Sequence, residues 1–202
     1  TSMIIAPNST AIVGLSLGNK LFSETYIHRL LAYCENNFER TIAMIPDLPY
    51  IHTLLARGKE VTKARTKARS NANSLANRVT RYNQKQSTDI QVQRWKELDE
   101  SPIYQVQLDT ITQLLESNST FEEAVNQATS QVQRVKTDEK SIRQARQYLL
   151  KELAYLASAK DIHKSHENPT YIYHKHWSIF DRWRLGDFDN KVKSIEFQVL
   201  EV

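Results

Sequence analysis

Glycine is scarce in this chain of 202 residues, which contains only Gly14, Gly18, Gly58 and Gly186. A dinucleotide-binding loop requires the pattern G-x-G-x-x-G, and a phosphate loop requires G-x-x-x-x-G-K-[ST]. Glycines at these four positions cannot form either pattern. The sequence therefore excludes both kinds of nucleotide-binding loop.

Cysteine is scarcer still, because Cys34 is the single one. It cannot form an internal disulfide, and the N-terminal residues lack the charged, apolar and small-residue pattern of a secretory signal. Together these observations predict a reducing compartment, the cytoplasm. No stretch approaches the roughly 18 uninterrupted apolar residues of a membrane span, so we do not expect a membrane protein.

The length predicts a single domain, since domains average roughly 150 residues. We place it at residues 3–202, because Thr1 and Ser2 precede the first methionine. Hydrophobic residues make up 40% of the chain and charged residues 25%, which excludes a wholly disordered protein.

Positive charge is concentrated between residues 57 and 85, where nine basic residues face the single acid Glu60. This segment has a net charge of +8, against +4 for the whole chain. Small and apolar residues recur in it at spacings of three and four, which predicts one long amphipathic helix. A solvated face normally mixes acids with bases, so we favour a nucleic-acid partner over a solvated face or an acidic membrane surface.

Short apolar runs alternate with helical patterns along the chain. We predict strands at 11–15, 41–45, 89–95, 171–173 and 195–199, with the third the least regular. Helical patterns cover 26–38, with Cys34 in the core, and 103–117, 120–134 and 139–158. This order predicts an α/β fold with a parallel sheet flanked by helices on both faces.

The motif G-x-S-x-G occurs at Gly14, Ser16 and Gly18, where the first predicted strand ends. In this motif a tight turn exposes the serine hydroxyl for nucleophilic attack. A turn without chemistry explains the match equally well. The α/β-hydrolase fold normally has several strands before its serine, whereas only ten residues precede this strand.

A possible ammonium site lies in the last predicted helix, where Tyr148 and Glu152 are four residues apart and therefore share a face. Tyr155 follows within one further turn. A carboxylate beside a phenol can hold a substrate ammonium group and pass a proton. Taken alone, however, the two residues favour an ordinary surface pair over such a site.

Four histidines, His163, His166, His174 and His176, suggest a metal site at first sight. Their spacing fits no standard zinc pattern, and the chain has no second cysteine. We therefore expect no bound metal, and interpret them as part of a polar loop and a strand end.

Several of these pieces occur in an order that resembles the tRNA-dependent cyclodipeptide synthases. The resemblance covers roughly residues 11–200, and no single motif carries it. It rests on the runs Ile12–Ser23, Phe38–Thr41 and Glu100–Tyr104, on the basic helix, on Tyr148 and Glu152, and on Tyr173 and His174. Asn19, Tyr173 and His174 resemble the signature of the branch named after these residue types.

The resemblance implies a Rossmann-like fold related to the catalytic domains of tyrosyl- and tryptophanyl-tRNA synthetases. It implies two aminoacyl-tRNAs as substrates and a cyclic dipeptide as product, made without ATP, metal or cofactor. Transfer from one ester to another needs no further activation, and amide formation from esters drives the sequence forward. We expect a monomer that does not bind membranes.

Residue by residue, the resemblance implies that Ser16 is the nucleophile and forms an aminoacyl-enzyme in a ping-pong scheme. Tyr148 and Glu152 would hold the ammonium group, and Tyr173 would assist beside the serine. Asn19 and His174 would contribute to substrate binding. Five residues stand at positions that line the aminoacyl pockets of the family: Ile12, Gly14, Met44, Trp95 and Tyr155. Ordinary core packing explains these five residues equally well. Residues that would contact tRNA phosphates are Lys59, Lys63, Arg65, Lys67, Arg69, Arg78 and Arg81.

Two other functions remain open on the sequence. A small serine hydrolase would use the same turn and cleave esters without tRNA. A noncatalytic RNA-binding domain would need the basic helix but not Ser16.

Overall fold

A five-stranded parallel sheet forms the centre of the computed structural model, which describes residues 6–133, 138–188 and 196–199. The strands lie in the order β3-β2-β1-β4-β5, and each pairs in parallel with its neighbours. Their bounds are β1 Ala6–Gly14, β2 Phe38–Ile45, β3 Gln91–Arg94, β4 Thr170–Tyr173 and β5 Glu196–Val199. The predicted parallel sheet is thus confirmed, although Ile195 of the last predicted strand lies outside the described residues.

Eight helices connect and cover these strands in the described part of the chain. They are α1 Glu24–Asn37, α2 Asp47–Ala56, α3 Val61–Gln86, α4 Trp95–Asp99, α5 Pro102–Ser117, α6 Ser119–Gln133, α7 Glu139–Ile162 and α8 Ser178–Leu185. The sequence patterns did not predict α2, α4 or α8. Trp95 begins a helix instead of ending the third strand, and residue 134 lies outside the described residues.

Alternating side chains of the strands supply two separate cores, one on each face of the sheet. Ile12 and Met44 point to the face covered by α4 to α8, while Val13 and Ala43 belong to the face covered by α1 and α3. Both sides of β1 are therefore buried. This explains why its sequence is a continuous apolar run instead of an alternating one.

The long basic helix α3 begins at a strong cap. Glu60 precedes it, and its two carboxylate oxygens accept hydrogen bonds from the backbone N–H groups of Thr62 and Lys63. The small residues Ala64, Ala68 and Ala72 line its buried face. Such residues allow the helix to lie close to the sheet, so that its long basic side chains occupy the opposite, solvent-facing side.

The second half of α3 is tied to α1 by polar contacts. Arg81 forms an ion pair with Glu24, in which Nε lies 3.0 Å from Oε1. The Tyr82 hydroxyl donates a 2.5 Å hydrogen bond to Glu35, and Arg78 donates one to the backbone carbonyl of Phe22. These contacts hold the loop that precedes α1 against α3.

The strand order changes direction between β1 and β4, the two strands from which the sheet extends on opposite sides. In open parallel sheets such a point leaves a crevice at the carboxyl ends of the strands, where ligands bind. Gly14 ends β1 and Tyr173 ends β4. The fold therefore brings the G-x-S-x-G turn to the end of the strand that carries Tyr173 and His174.

Cys34 is fully buried in the core between α1 and the sheet, as predicted. Burial, together with the neighbouring Glu35 charge, raises the pKa of its thiol to about 12. The thiolate is the reactive form, so we expect the folded protein to resist thiol reagents. Ellman's reagent at pH about 8 should label no thiol in the native chain and one per chain in guanidinium chloride. Rapid labelling of the native protein would contradict this burial.

Candidate active site

The turn that carries Ser16 needs both of its flanking glycines. A methyl group on Gly14 would lie 2.4 Å from the Tyr171 hydroxyl oxygen and 2.7 Å from Cδ2 of Tyr173. Gly18 has a φ of +72°, and a methyl group there would lie 2.4 Å from the hydroxyl oxygen of Tyr50. A side chain at either position would displace a tyrosine ring. Glycine is therefore required at both positions by the closely packed rings, and at Gly18 by the positive φ as well.

Ser16 is half-buried and lies beside Tyr173, and its side chain opposes the rise that burial causes in the pKa of the Tyr173 phenol. Both residues face a cavity of about 70 Å³. The cavity is lined by Ser16, Leu17, Tyr50, Thr53, Arg57, Tyr148, Tyr173 and Trp177. The structure therefore gathers three of the four predicted catalytic side chains around one small space.

Glu152, the fourth, lies one helical turn from Tyr148 and is 1% exposed. Its Oε1 accepts a 2.5 Å hydrogen bond from the Tyr171 hydroxyl, while its Oε2 has no hydrogen-bond partner among the described residues. Burial raises the pKa of this carboxyl to about 7, and the hydrogen bond from Tyr171 opposes that shift. The site thus contains an acid with one unsatisfied oxygen, suited to a cationic ligand.

The tyrosines around Glu152 carry neutral phenols. Burial raises the pKa of Tyr148, Tyr171 and Tyr173, and the nearby Glu152 carboxyl raises each of them further. The rings of Tyr171 and Tyr173 stack with centroids 5.6 Å apart. At neutral pH these phenols are hydrogen-bond donors and acceptors and do not act as bases.

Asn19 and His174 meet across the crevice. The Asn19 side-chain amide donates a 3.0 Å hydrogen bond to Nε2 of His174, and its oxygen accepts one from the backbone N–H of Leu21. Burial and the neighbouring Lys175 charge lower the pKa of His174 to about 4, so its ring is neutral. The contact fastens the turn after Ser16 to the end of β4.

Four of the residues predicted to line aminoacyl pockets lie in the core. They are Ile12, Met44, Trp95 and Tyr155, each 1% exposed or less. The polar atoms of the two aromatic residues have partners within the chain: the Trp95 indole donates to Tyr104 at 2.9 Å, and the Tyr155 hydroxyl bonds to His163 at 2.8 Å. The structure does not bring these four side chains to the wall of the Ser16 cavity, and a role in substrate binding stays a prediction.

The predicted tRNA-binding residues fall into two groups. Lys59, Lys63, Arg65, Lys67 and Arg69 are exposed at or near the start of α3, and within the described ranges their side chains have no acidic partner. Arg78 and Arg81 instead bind Phe22 and Glu24. The exposed basic side chains without an acidic partner in the described ranges therefore lie in or just before the first half of the helix.

Leu17, Tyr50 and Thr53 line the cavity but were not predicted as site residues, and the same holds for three further residues of the site. Tyr171 holds Glu152, while Trp177 and Arg57 line the cavity. Trp177 is 4% exposed, and its indole N–H has no hydrogen-bond partner among the described residues. Tyr171 could have been found from alternation, because it lies two residues before Tyr173 and so points to the same face of β4. No local pattern indicates the other two.

The described residues contain no group of three or more histidine, cysteine or acidic side chains placed to hold a metal ion. Of the four histidines considered, His163 bonds to Tyr155, His174 bonds to Asn19 and His176 pairs with Asp181. In the same part of the chain, no helix is long and apolar enough to cross a bilayer.

Comparison with known proteins identifies the family. A sequence model of the cyclodipeptide synthases matches residues 1–195. The chain belongs to the cyclodipeptide synthase family. It is accordingly an enzyme that transfers aminoacyl groups. Among curated proteins, none matches its sequence.

Solved structures share the fold of this family member at low sequence identity. The cyclodipeptide synthase of Staphylococcus haemolyticus superimposes with a TM-score of 0.89 at 20% identity, covering 96% of this chain and 92% of that one. The synthase of Candidatus Glomeribacter gigasporarum, solved bound to Phe-tRNAPhe, gives 0.65 at 15% identity over 100% of this chain and 91% of that one.

The fold also extends to tyrosyl-tRNA synthetase from Archaeoglobus fulgidus, with a TM-score of 0.60 at 14% identity. That match covers 95% of this chain and 54% of the synthetase. The predicted similarity in fold to class I tRNA synthetases is thus confirmed. Assignment to the branch named after Asn, Tyr and His stays a prediction, although Asn19, Tyr173 and His174 do lie together.

The raised pKa of Glu152 has a consequence for stability. Because the folded-state pKa of about 7 exceeds the ordinary 4.5, the unfolded chain loses this proton first as pH rises. The free energy of unfolding therefore decreases between these two pH values and stays low above them. The full effect is about 3 kcal/mol for one carboxyl.

Substitution of this carboxyl by an amide tests the effect. Glu152→Gln should raise the melting temperature more at pH about 8.5 than at pH about 5, because the amide cannot ionise. Calorimetry of both proteins at the two pH values measures the difference. An equal change at both would show that Glu152 does not titrate as described.

Proposed function

We propose that this chain joins two aminoacyl groups, each delivered by a tRNA, into a cyclic dipeptide through an aminoacyl-enzyme on Ser16. One observation carries the proposal: the Ser16 hydroxyl shares a small cavity with Tyr148 and Tyr173, and the buried Glu152 carboxyl lies one turn beyond. A nucleophile, a neutral phenol and an acid suited to an ammonium group are the groups that an aminoacyl ester requires.

In the first step, Oγ of Ser16 attacks the carbonyl carbon of the first aminoacyl ester. A new ester forms on Ser16, the bond to the tRNA ribose oxygen breaks, and that oxygen takes up the proton that Ser16 loses. The neutral phenol of Tyr173, which lines the same cavity as Ser16, is placed to carry this proton or to stabilise the reacting oxygen. One ester replaces another, so no ATP is consumed.

The ammonium group of the bound aminoacyl unit is recognised by Glu152 and Tyr148. An ammonium ion near Oε2 favours the ionised carboxylate and satisfies an oxygen that otherwise lacks a partner among the described residues. Two amide bonds then replace the two esters. One joins the aminoacyl groups, and the other closes the ring and frees the Ser16 hydroxyl. In each case the alcohol released takes the proton from the attacking amine.

Exposed basic residues at the start of α3 supply the surface for tRNA phosphates. Lys59, Lys63, Arg65, Lys67 and Arg69 would bind the first tRNA mainly by charge. We also propose that the protein acts as a monomer in the cytoplasm, where aminoacyl-tRNAs are made. It requires no cofactor for ester exchange.

Expression of the chain in a bacterium tests the reaction class. The culture medium should contain a cyclic dipeptide, detected by mass spectrometry, that disappears with Ser16→Ala. Ser117→Ala is the matched control, because this exposed serine lies at the end of α5. Soluble wild-type protein that hydrolysed simple esters and yielded no dipeptide in a purified aminoacyl-tRNA mixture would overturn the proposal and favour a hydrolase.

Charge reversal tests the tRNA surface. The triple variant Lys63→Glu, Arg65→Glu and Lys67→Glu should raise the KM for aminoacyl-tRNA at least tenfold and flatten its salt dependence, because phosphate contacts are lost. The control triple Lys96→Glu, Lys140→Glu and Lys164→Glu makes the same change in net charge at exposed positions outside α3. Equal losses in the two triples would show an effect of total charge and contradict a local site.

A further inference from the structure

Tyr171 is buried between the Ser16 turn and Glu152, and neither the motifs nor the proposed chemistry assigns it a role. It is 1% exposed, and its hydroxyl donates a 2.5 Å hydrogen bond to Oε1 of Glu152. Its ring stacks on Tyr173, which lines the cavity. Gly14 leaves the space that its hydroxyl occupies, since a methyl group there would approach that oxygen to 2.4 Å.

The two carboxyl oxygens of Glu152 therefore differ in their hydrogen bonding. Oε1 is held by Tyr171, while Oε2 is buried without a hydrogen-bond partner among the described residues. A free carboxyl could rotate about its last bond and present either oxygen. A strong hydrogen bond at one oxygen limits that rotation and leaves the other directed consistently.

We propose that Tyr171 is a positioning residue, whose hydroxyl hydrogen-bonds one carboxyl oxygen of Glu152 and leaves the other oxygen for the ammonium group of the first aminoacyl unit. This inference rests on the proposed function for the identity of the ligand. The role of Tyr171 toward Glu152 itself rests on the geometry alone.

The surroundings of Glu152 are phenolic. Tyr148 approaches it from α7, Tyr171 and Tyr173 approach it from β4, and Tyr50 of α2 lies near Tyr148. Two other titratable groups on or next to α7 have partners other than Glu152. His52 bonds to Gln144, and Lys151 pairs with Asp99. Among the described residues, Tyr171 is thus the one that hydrogen-bonds the carboxyl group of Glu152.

Infrared titration of the carboxyl tests the positioning role without any substrate. The band of the protonated Glu152 carboxyl, identified by its loss in Glu152→Gln, is followed from pH about 5 to pH about 9. Tyr171→Phe removes the hydroxyl and keeps the ring. We expect the midpoint to move to higher pH by about one unit, because a hydrogen bond to the charged form is lost.

Two further variants complete the test. Gly14→Ala should displace the Tyr171 hydroxyl without changing residue 171, and should move the midpoint in the same direction even if Tyr171→Phe folds poorly. Tyr82→Phe is the matched control, because it removes another 2.5 Å hydrogen bond from a buried tyrosine to a carboxylate, that of Glu35. A midpoint unchanged in both site variants, or moved equally in the control, would overturn the proposal.

Activity measurements then test the link to the ligand. Tyr171→Phe should lower kcat/KM for the first aminoacyl-tRNA about tenfold near pH 6.5 and much less near pH 8.5, after correction for uncatalysed ester hydrolysis. A loss independent of pH would indicate a structural role only. Absence of any aminoacyl-enzyme in the wild type would refute the proposed function, while the infrared titration would still decide whether Tyr171 controls Glu152.

Discussion

The parallel pairing of β1 with β4 is the constraint on which the candidate site depends. It places Ile12 opposite Tyr171 and Val13 opposite Ile172, so both strands end at the same edge of the sheet. The hydrogen bond between Asn19 and His174 then joins residues 155 positions apart in the chain. Because the strand order reverses between these two strands, their connections leave in opposite directions, and a crevice for a ligand opens between them.

Burial of a carboxyl group follows from this arrangement and opposes stability. Glu152 lies among phenols on the inner side of α7, where its charged form loses hydration. The fold retains a group that favours a neutral state when empty and an ionised state when a cation arrives. Such groups are typical of functional sites, where local stability is sacrificed for recognition. The same burial keeps the neighbouring phenols neutral, so they remain hydrogen-bond donors and acceptors at neutral pH.

The basic side chains of helix α3 have two different environments. Its first half leaves Lys63 and Lys67 exposed, while its second half uses Arg78 and Arg81 to hold the loop before α1. That loop continues from the Ser16 turn, so the helix that carries this charge also supports the loop next to the candidate site. Like charges on one helix face repel each other, and an anionic ligand relieves that repulsion.

Local patterns in the sequence determined most of the elements, because periods of two and 3.6 residues report which side of a strand or helix is buried. They indicated the parallel sheet, the basic helix, the Ser16 turn and the shared face of Tyr148 and Glu152. Only the tertiary structure decided which distant side chains meet. It placed Tyr171 against Glu152, paired Arg81 with Glu24 and buried Trp95 in the core. Strand order and packing arise from contacts between residues far apart in the chain. A local periodicity shows which side of an element is buried but does not identify the distant residues that it contacts.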